Sequence, residues 1–220
     1  MPINTKKYMK IIIAIVSILV LWSIWGYFFS NVEQADYTVV SKTSDYEVRD
    51  YPEHIVAQTT VKGSYKESLN QGFTIVAGYI FGANSKKESI AMTAPVLSEK
   101  TDNKEGPSEK IAMTAPVLAS IEGENRTIAF GMPRTYTLDS LPIPTDPRVE
   151  IKVIPAKKFA VLKFSWYSSE KRVNKMKEAL LSALKDDGVK VVGKEPLYAG
   201  YNGPGTPPWM IRNEVLIEIE

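Results

Sequence analysis

The chain has 220 residues, 44% hydrophobic and 24% charged, with a net charge of +2, no cysteine and a single histidine, His54. This is the composition of a globular domain with a real core, and it carries no electrostatic signature of a nucleic-acid partner. It excludes disulfides, thiol catalysis, zinc–thiolate sites, cysteine lipidation and any multi-histidine metal centre, and a Ser-His-Asp triad would have to use His54.

Residues 1–10 form a basic segment, with Lys6, Lys7 and Lys10 preceding Ile11–Phe29, a run of 19 residues without charge. As a helix that run is roughly 28 Å long, about the thickness of a bilayer's hydrocarbon core. Trp22, Trp25 and Tyr27 gather at its far end, where amphipathic rings favour the membrane interface. The lysines come before the run, and Glu33 and Asp36 follow it. The positive-inside rule therefore predicts a single-pass anchor with a cytoplasmic N-terminus and the body on the outer side, periplasmic or extracellular. The rival reading is a cleaved signal peptide. The run is longer than a usual signal core, and Glu33 spoils the best small-x-small cleavage site, which ends at Ala35. A helix apolar on every face does not suit a soluble core.

Residues 30–45 read as a polar linker and 46–220 as the folded body. Tyr46–Asp50 and His54–Lys62 alternate like strands about a turn at Tyr51-Pro52-Glu53. Ser64 with Glu67 three residues on has the capping-box spacing and predicts a helix running to about Ile80 and stopping near Gly82. Its apolar stripe is Tyr65, Leu69, Phe73, Val76 and Ile80. Next, Glu88–Leu97 reads ESIAMTAPVL and Glu109–Leu118 reads EKIAMTAPVL, nine of ten positions identical at a separation of 21. Both copies alternate with the strand period of two, and the polar Ser98–Ser108 between them reads as a loop. Two adjacent antiparallel strands are expected, with Pro95 and Pro116 at edges, bulges or ends. They are a structural hairpin on one reading; on the other, Met92 and Met113 line a pocket for an apolar ligand.

Arg126–Met132 reads as a strand ended by Pro133, and Leu138–Arg148, with Pro142, Pro144 and Pro147, as an extended crossover. The order of elements then begins again: Val149–Ile154, Pro155, Lys157–Ser165, and a helix capped by Ser168 or Ser169 with stripe Val173, Met176, Leu180 and Leu184, ending at Gly188. Strands near Leu197–Tyr201 and Asn213–Ile219 complete it. Glu47, Pro52 and Ala57 match Glu150, Pro155 and Ala160 at a common offset of 103, and with one residue inserted Leu69, Val76 and Ile80 match Val173, Leu180 and Leu184. The predicted fold is α+β: two duplicated ββαββ units closing into a distorted antiparallel β-barrel flanked by two helices, preceded by one transmembrane helix. The space between helix and sheet is a natural pocket.

The remaining chemistry is sparse. His54, between Glu53 and Ile55, is an exposed or structural histidine on the simpler reading and a metal ligand or general base on the sharper one. The tyrosines mostly suit amphipathic packing at a barrel rim. Asp146 and Glu214 supply carboxylates that nothing in the sequence brings together, and Arg212 with Glu214 reads as a structural ion pair or rim contact. Gly200–Gly205 does not open a helix, so it is a loop and not a phosphate cradle. No catalytic residue is expected.

The segments Tyr46-Glu47-Val48-Arg49, the two Ile-Ala-Met-Thr-Ala-Pro-Val copies, Leu141-Pro142-x-Pro144-x-Asp146, Ala199-Gly200-Tyr201 and Arg212-Asn213-Glu214-Val215 together resemble the SOUL heme-binding protein family, across about Tyr46 to Glu218. The resemblance implies a distorted eight- or nine-stranded barrel with two helices, related to gyrase-inhibitor-like and multidrug-effector domains. It implies binding of heme or metal-free porphyrin by burial on the first helix and adjoining strands. Asp50 falls where one relative is thought to place a histidine ligand, and Asn70 and Gly78 fall where another has basic residues. Phe73 and Ala77 fall at pocket methionines, and Tyr201 at a pocket tyrosine. The expected pocket residues are Leu69, Phe73, Val76, Ala77, Met92, Met113 and Tyr201, with His54 as the metal candidate. The expected function is a membrane-anchored tetrapyrrole carrier, buffer or scavenger that is not an enzyme. The alternatives are a sensor or sequestering module for amphiphilic small molecules, and a hydrolase on the same barrel.

Overall fold

A computed structural model describes residues 5–29, 33–86, 108–120, 125–193, 196–203 and 205–220. The first copy of the repeated decapeptide, with Met92, lies outside the described residues. The apolar N-terminal run is helix α1 (Thr5–Phe29), and its stretch Met9–Tyr27 is long and apolar enough to cross a membrane. Residues expected to form a linker instead contain strands β1 (Glu33–Gln34) and β2 (Thr38–Lys42). All five residues of β2 are exposed. It is held by pairing with the next strand, so its side chains carry no burial period for a sequence reading to find.

The body follows as β3 (Glu47–Tyr51), β4 (His54–Lys62), α2 (Tyr65–Ile80), β5 (Asn84–Ser85), β6 (Thr114–Ala115), β7 (Val117–Ser120) and β8 (Asn125–Gly131). After the proline-rich crossover, which contributes β9 (Ile143–Pro144), come β10 (Glu150–Ile154), β11 (Lys157–Phe164), α3 (Glu170–Asp186), β12 (Leu197–Gly200) and β13 (Asn213–Glu218). The helix starts follow the cap chemistry. The Glu67 carboxylate accepts from the Ser64 backbone N–H at 3.3 Å and from the Ser64 hydroxyl at 2.7 Å. Ser169 rather than Ser168 caps α3, accepting from the Arg172 N–H at 3.3 Å.

Nine strands form one antiparallel sheet in the order β10-β4-β8-β7-β12-β13-β11-β3-β2. Exchanging β3, β4, β7 and β8 with β10, β11, β12 and β13 leaves the order of those eight strands unchanged when it is read from the other end. The sheet curls because two long strands bend together. Glu47↔Val161, Tyr51↔Lys157, His54↔Ile154 and Gln58↔Glu150 lie on one unbroken register, although β3 and β4 never pair with each other. Pro52 and Pro155 have no N–H to give a ladder, and the bends fall there. The Pro52 turn is thus a corner, and the sheet is a curled half-barrel.

Both body helices cover the convex face. Strand alternation sends Val215 and Ile217 to α3, where they meet Val173, Leu180 and Leu184, and sends Leu216 to the concave side with Tyr51, Phe159 and Tyr201. On the other half, Val76 and Ile80 of α2 are fully buried against Ala57, Ile128 and Phe130. Each such aliphatic side chain contributes about 1.5–3 kcal/mol of transfer free energy. A Cβ built on Gly72 would lie 2.5 Å from Ile128 Cδ1. Only glycine allows α2 to approach β8 this closely, and the approach leaves no room for a ligand between them.

Candidate functional site

The concave face encloses a cavity of about 930 Å3, within the range for ligands of drug or cofactor size. Its walls are mostly apolar, with Val56, Leu118, Ala129, Phe159, Leu197 and Leu216 among the lining residues. The second decapeptide copy adds Thr114, Ala115 and Pro116. The Thr114 hydroxyl donates to the Gly131 carbonyl. The segment after α1 runs along the same wall. Glu33 and Gln34 pair in parallel with Thr114 and Ala115, the Ala35 N–H donates to the Ala115 carbonyl at 2.9 Å, and Gln34, Ala35 and Asp36 line the cavity.

Polar groups lie where the long strands bend. His54 lines the cavity, and its Nδ1 is 2.9 Å from the Pro52 carbonyl oxygen. A carbonyl only accepts, so in the neutral ring Nδ1 carries the proton and Nε2 keeps its lone pair. Two lining cations are already matched by acids. Lys157 Nζ is 2.7 Å from Glu218 and Arg134 is 2.6 Å from Asp36.

Beside the cavity floor lies a buried ionic cluster. Arg49, fully buried, grips Glu214 with both terminal nitrogens at 2.9 and 3.0 Å, donates to Glu47 at 2.8 and 3.0 Å, and reaches the Tyr51 hydroxyl at 3.1 Å. Glu214 also accepts from the Tyr201 hydroxyl at 2.6 Å and from Arg212 at 2.8 and 3.0 Å. Burial favours the neutral acid at Glu214, but Arg49, Tyr201 and Arg212 together hold it below the ordinary carboxylate range. Burial likewise opposes ionisation of Glu47, and hydrogen bonds from Lys163 and Arg49 win, holding it at about 2. Burial pushes the Tyr201 phenol up, and the neighbouring Glu214 carboxylate adds to the shift. These carboxylates are satisfied acceptors with no proton to give near neutral pH.

The residues singled out from sequence fall in different places. Val76 and Ala77 are buried in the core beneath α2, Leu69 is half-buried, and Phe73 is 40% exposed with its ring 5.2 Å from that of Phe130. Met113 is half-buried just before β6, and Tyr201 sits in the ionic cluster under the Arg212 guanidinium, 3.9 Å above its ring. None of these six lines the cavity; His54 does. Asp146 pairs with Arg148 at 2.6 Å, away from Glu214. Sequence reasoning missed Glu47 and Arg49 as one half of the cluster. The signal was present: Glu47 and Arg49 lie two residues apart on one strand, and the same spacing recurs at Arg212, just before β13, and Glu214 within it.

Comparison with known proteins agrees with the architecture. The chain is 30% identical over 161 residues to "Heme-binding protein 2" of Homo sapiens, covering 72% of this chain and 71% of the relative. Among solved structures, the C-terminal domain of EcmrR superimposes with a TM-score of 0.54 at 11% identity, covering 84% of this chain and 98% of that domain, a likeness of fold alone. A hydrolase from Listeria innocua aligns with a TM-score of 0.48 at 10% identity over 82% of this chain and 94% of that one. The SOUL heme-binding protein profile matches residues 32–108 and 100–218. The chain therefore belongs to the SOUL heme-binding protein family.

Proposed function

We propose that the chain binds heme or another tetrapyrrole in the concave cavity, acting as a membrane-anchored carrier, buffer or scavenger with its body on the outer side of the membrane. The observation that carries this reading is a mostly apolar cavity of about 930 Å3 in a member of a heme-binding family. The residues present fit the group. The apolar walls would cover a macrocycle face, Arg134 and Lys157 would meet propionates, and His54 is the imidazole available to an iron. Heme would supply a redox-active iron; the chain's own part is burial and orientation. Burial contributes on the order of 25 cal/mol per Å2 of apolar surface. Propionates must displace Asp36 and Glu218 from their cations, so micromolar affinity is expected rather than nanomolar.

A second surface is Leu69 and Phe73 on α2, favoured by the exposure of Phe73. A sensor or sequestering role for other amphiphiles would use the same cavity. A hydrolase is disfavoured because Glu47 and Glu214 are committed to cations. The order of the eight exchangeable strands supports an origin by duplication of a ββαββ unit, α1 supports a single membrane span, and core clusters formed wholly within residues 46–220 support a body that folds on its own. The test is titration of the full chain in detergent with hemin and with metal-free porphyrin, wild type against His54→Ala. Binding by burial predicts that the two ligands bind within about tenfold of each other and that His54→Ala costs less than about tenfold. Loss of hemin alone in His54→Ala would replace burial with ligation, and absence of binding by either ligand would sink the proposal.

A further inference from the structure

We infer that the barrel docks edge-down on the outer leaflet of the bilayer through an aromatic platform built from Trp166, Tyr167 and Trp209. The inference rests on the reading that α1 spans the membrane. Trp22, inside the apolar run of α1, donates its indole N–H to the Gly205 carbonyl at 2.8 Å and meets Trp209 edge-to-face at 5.4 Å. One turn later, a Cβ on Gly26 would lie 2.5 Å from Pro207 Cδ, so the loop lies directly against the helix. Trp22 precedes the last residue of the apolar stretch, Tyr27, by five positions, which is roughly 7 Å of helix rise. If α1 crosses the bilayer, the loop is carried to that depth. It lies within the ~5–10 Å to which interfacial apolar elements enter the headgroup and acyl boundary.

The composition of this edge suits that position. Pro196–Ile211 is sixteen residues without a charge, and Phe164–Ser169 is also uncharged. Trp209 is 42% exposed, Trp166 51% and Tyr167 65%, exposures that water disfavours and a lipid interface rewards. Trp166 has φ of +74°, a left-handed conformation that strains any residue carrying a Cβ. Its N–H donates to the Pro208 carbonyl at 3.1 Å, and the Asn213 side-chain amide donates to its carbonyl at 2.7 Å. The fold thus maintains a strained residue whose indole packs into no core, and joins it to the loop that touches α1. Strain held in place to present an exposed aromatic ring points to a contact surface, and the adjoining span makes that contact lipid.

The chain has four tryptophans and no cysteine, which makes the test direct. Full-length single-tryptophan proteins, each keeping Trp25, Trp166 or Trp209 with phenylalanine at the others, are reconstituted in vesicles with and without dibrominated phosphatidylcholine. Docking predicts bromine-dependent loss of fluorescence for all three, stronger at Trp166 and Trp209 with shallow than with deep bromines. Quenching of Trp25 alone overturns docking and leaves the span standing; no quenching of Trp25 removes the span and docking with it. Because the triple substitutions perturb several aromatic contacts, Tyr167→Cys in the otherwise wild-type chain, carrying a nitroxide, gives an independent reading. Docking predicts that the label relaxes more with oxygen than with a water-soluble nickel chelate, and the reverse order overturns it.

Discussion

Gly72→Ala decides whether a ligand-sized gap exists between α2 and the sheet. The new methyl would meet Ile128 Cδ1, Cγ1 and Cβ at 2.5, 2.7 and 2.9 Å. Ile128 is fully buried in the cluster that holds Val76, Ile80 and Phe130, so it has no free volume to turn into. Two terms compete. Alanine in a helix interior is better than glycine by about 1 kcal/mol, and overpacking a closed core costs about 1–3 kcal/mol. Three sub-van-der-Waals contacts against an immobile side chain put the cost at the upper end, so a net loss of about 1–2 kcal/mol is expected. Denaturant unfolding of the full chain in mild detergent measures it. Ile128→Val, which removes Cδ1, should cost less in the Gly72→Ala background than in wild type, where it costs about 0.5–1.5 kcal/mol. If Gly72→Ala instead raises stability by the propensity term, α2 does not lie this close, and the space between helix and sheet is again open to a ligand.

Other outcomes follow from the ionic cluster. Arg49→Leu strands two buried carboxylates and should destabilise by about 3–5 kcal/mol, with Arg49→Leu/Glu214→Leu costing much less than the sum of the singles; a loss under about 1 kcal/mol in Arg49→Leu would show that the cluster is not buried as described. Acid should weaken the fold in a defined window. Glu47 is held at about 2 against an ordinary 4.5, so its contribution is complete above about pH 4.5 and is lost as pH falls toward about 2. Urea midpoints that do not change between pH 6 and pH 2.5 would contradict that assignment.

Elements whose side chains alternate between core and solvent were legible from sequence. The Ser64 cap and the stripe through Val76 and Ile80 locate α2 to within a residue, and the paired prolines Pro52 and Pro155 mark where strands are interrupted. The edge strand β2 was not legible, because it is held through backbone bonds with every side chain exposed. Nor was the site. Periodicity says that residues two apart share a face, but not which face the helices cover, and the helix-facing set Val76 and Ala77 proves to be core. One small residue, Gly72, closes the space where a pocket was expected, while the opposite face keeps a cavity whose walls come from strands distant in sequence. His54 reads from sequence as a residue beside a turn, structural on one reading and a metal candidate on the other; the turn is a corner, and the corner places it on the cavity wall.

The measurement that bears most directly on the central claim is a hemin titration of the full chain in three forms: wild type, Leu118→Trp, which projects an indole from the wall into the concave cavity, and Phe73→Asp, which places a charge on the outer face of α2. Binding in the cavity predicts that Leu118→Trp weakens hemin by about tenfold or more while Phe73→Asp stays within a few-fold of wild type. Wild-type affinity in Leu118→Trp together with loss of binding in Phe73→Asp would contradict the account and move the site to the helix.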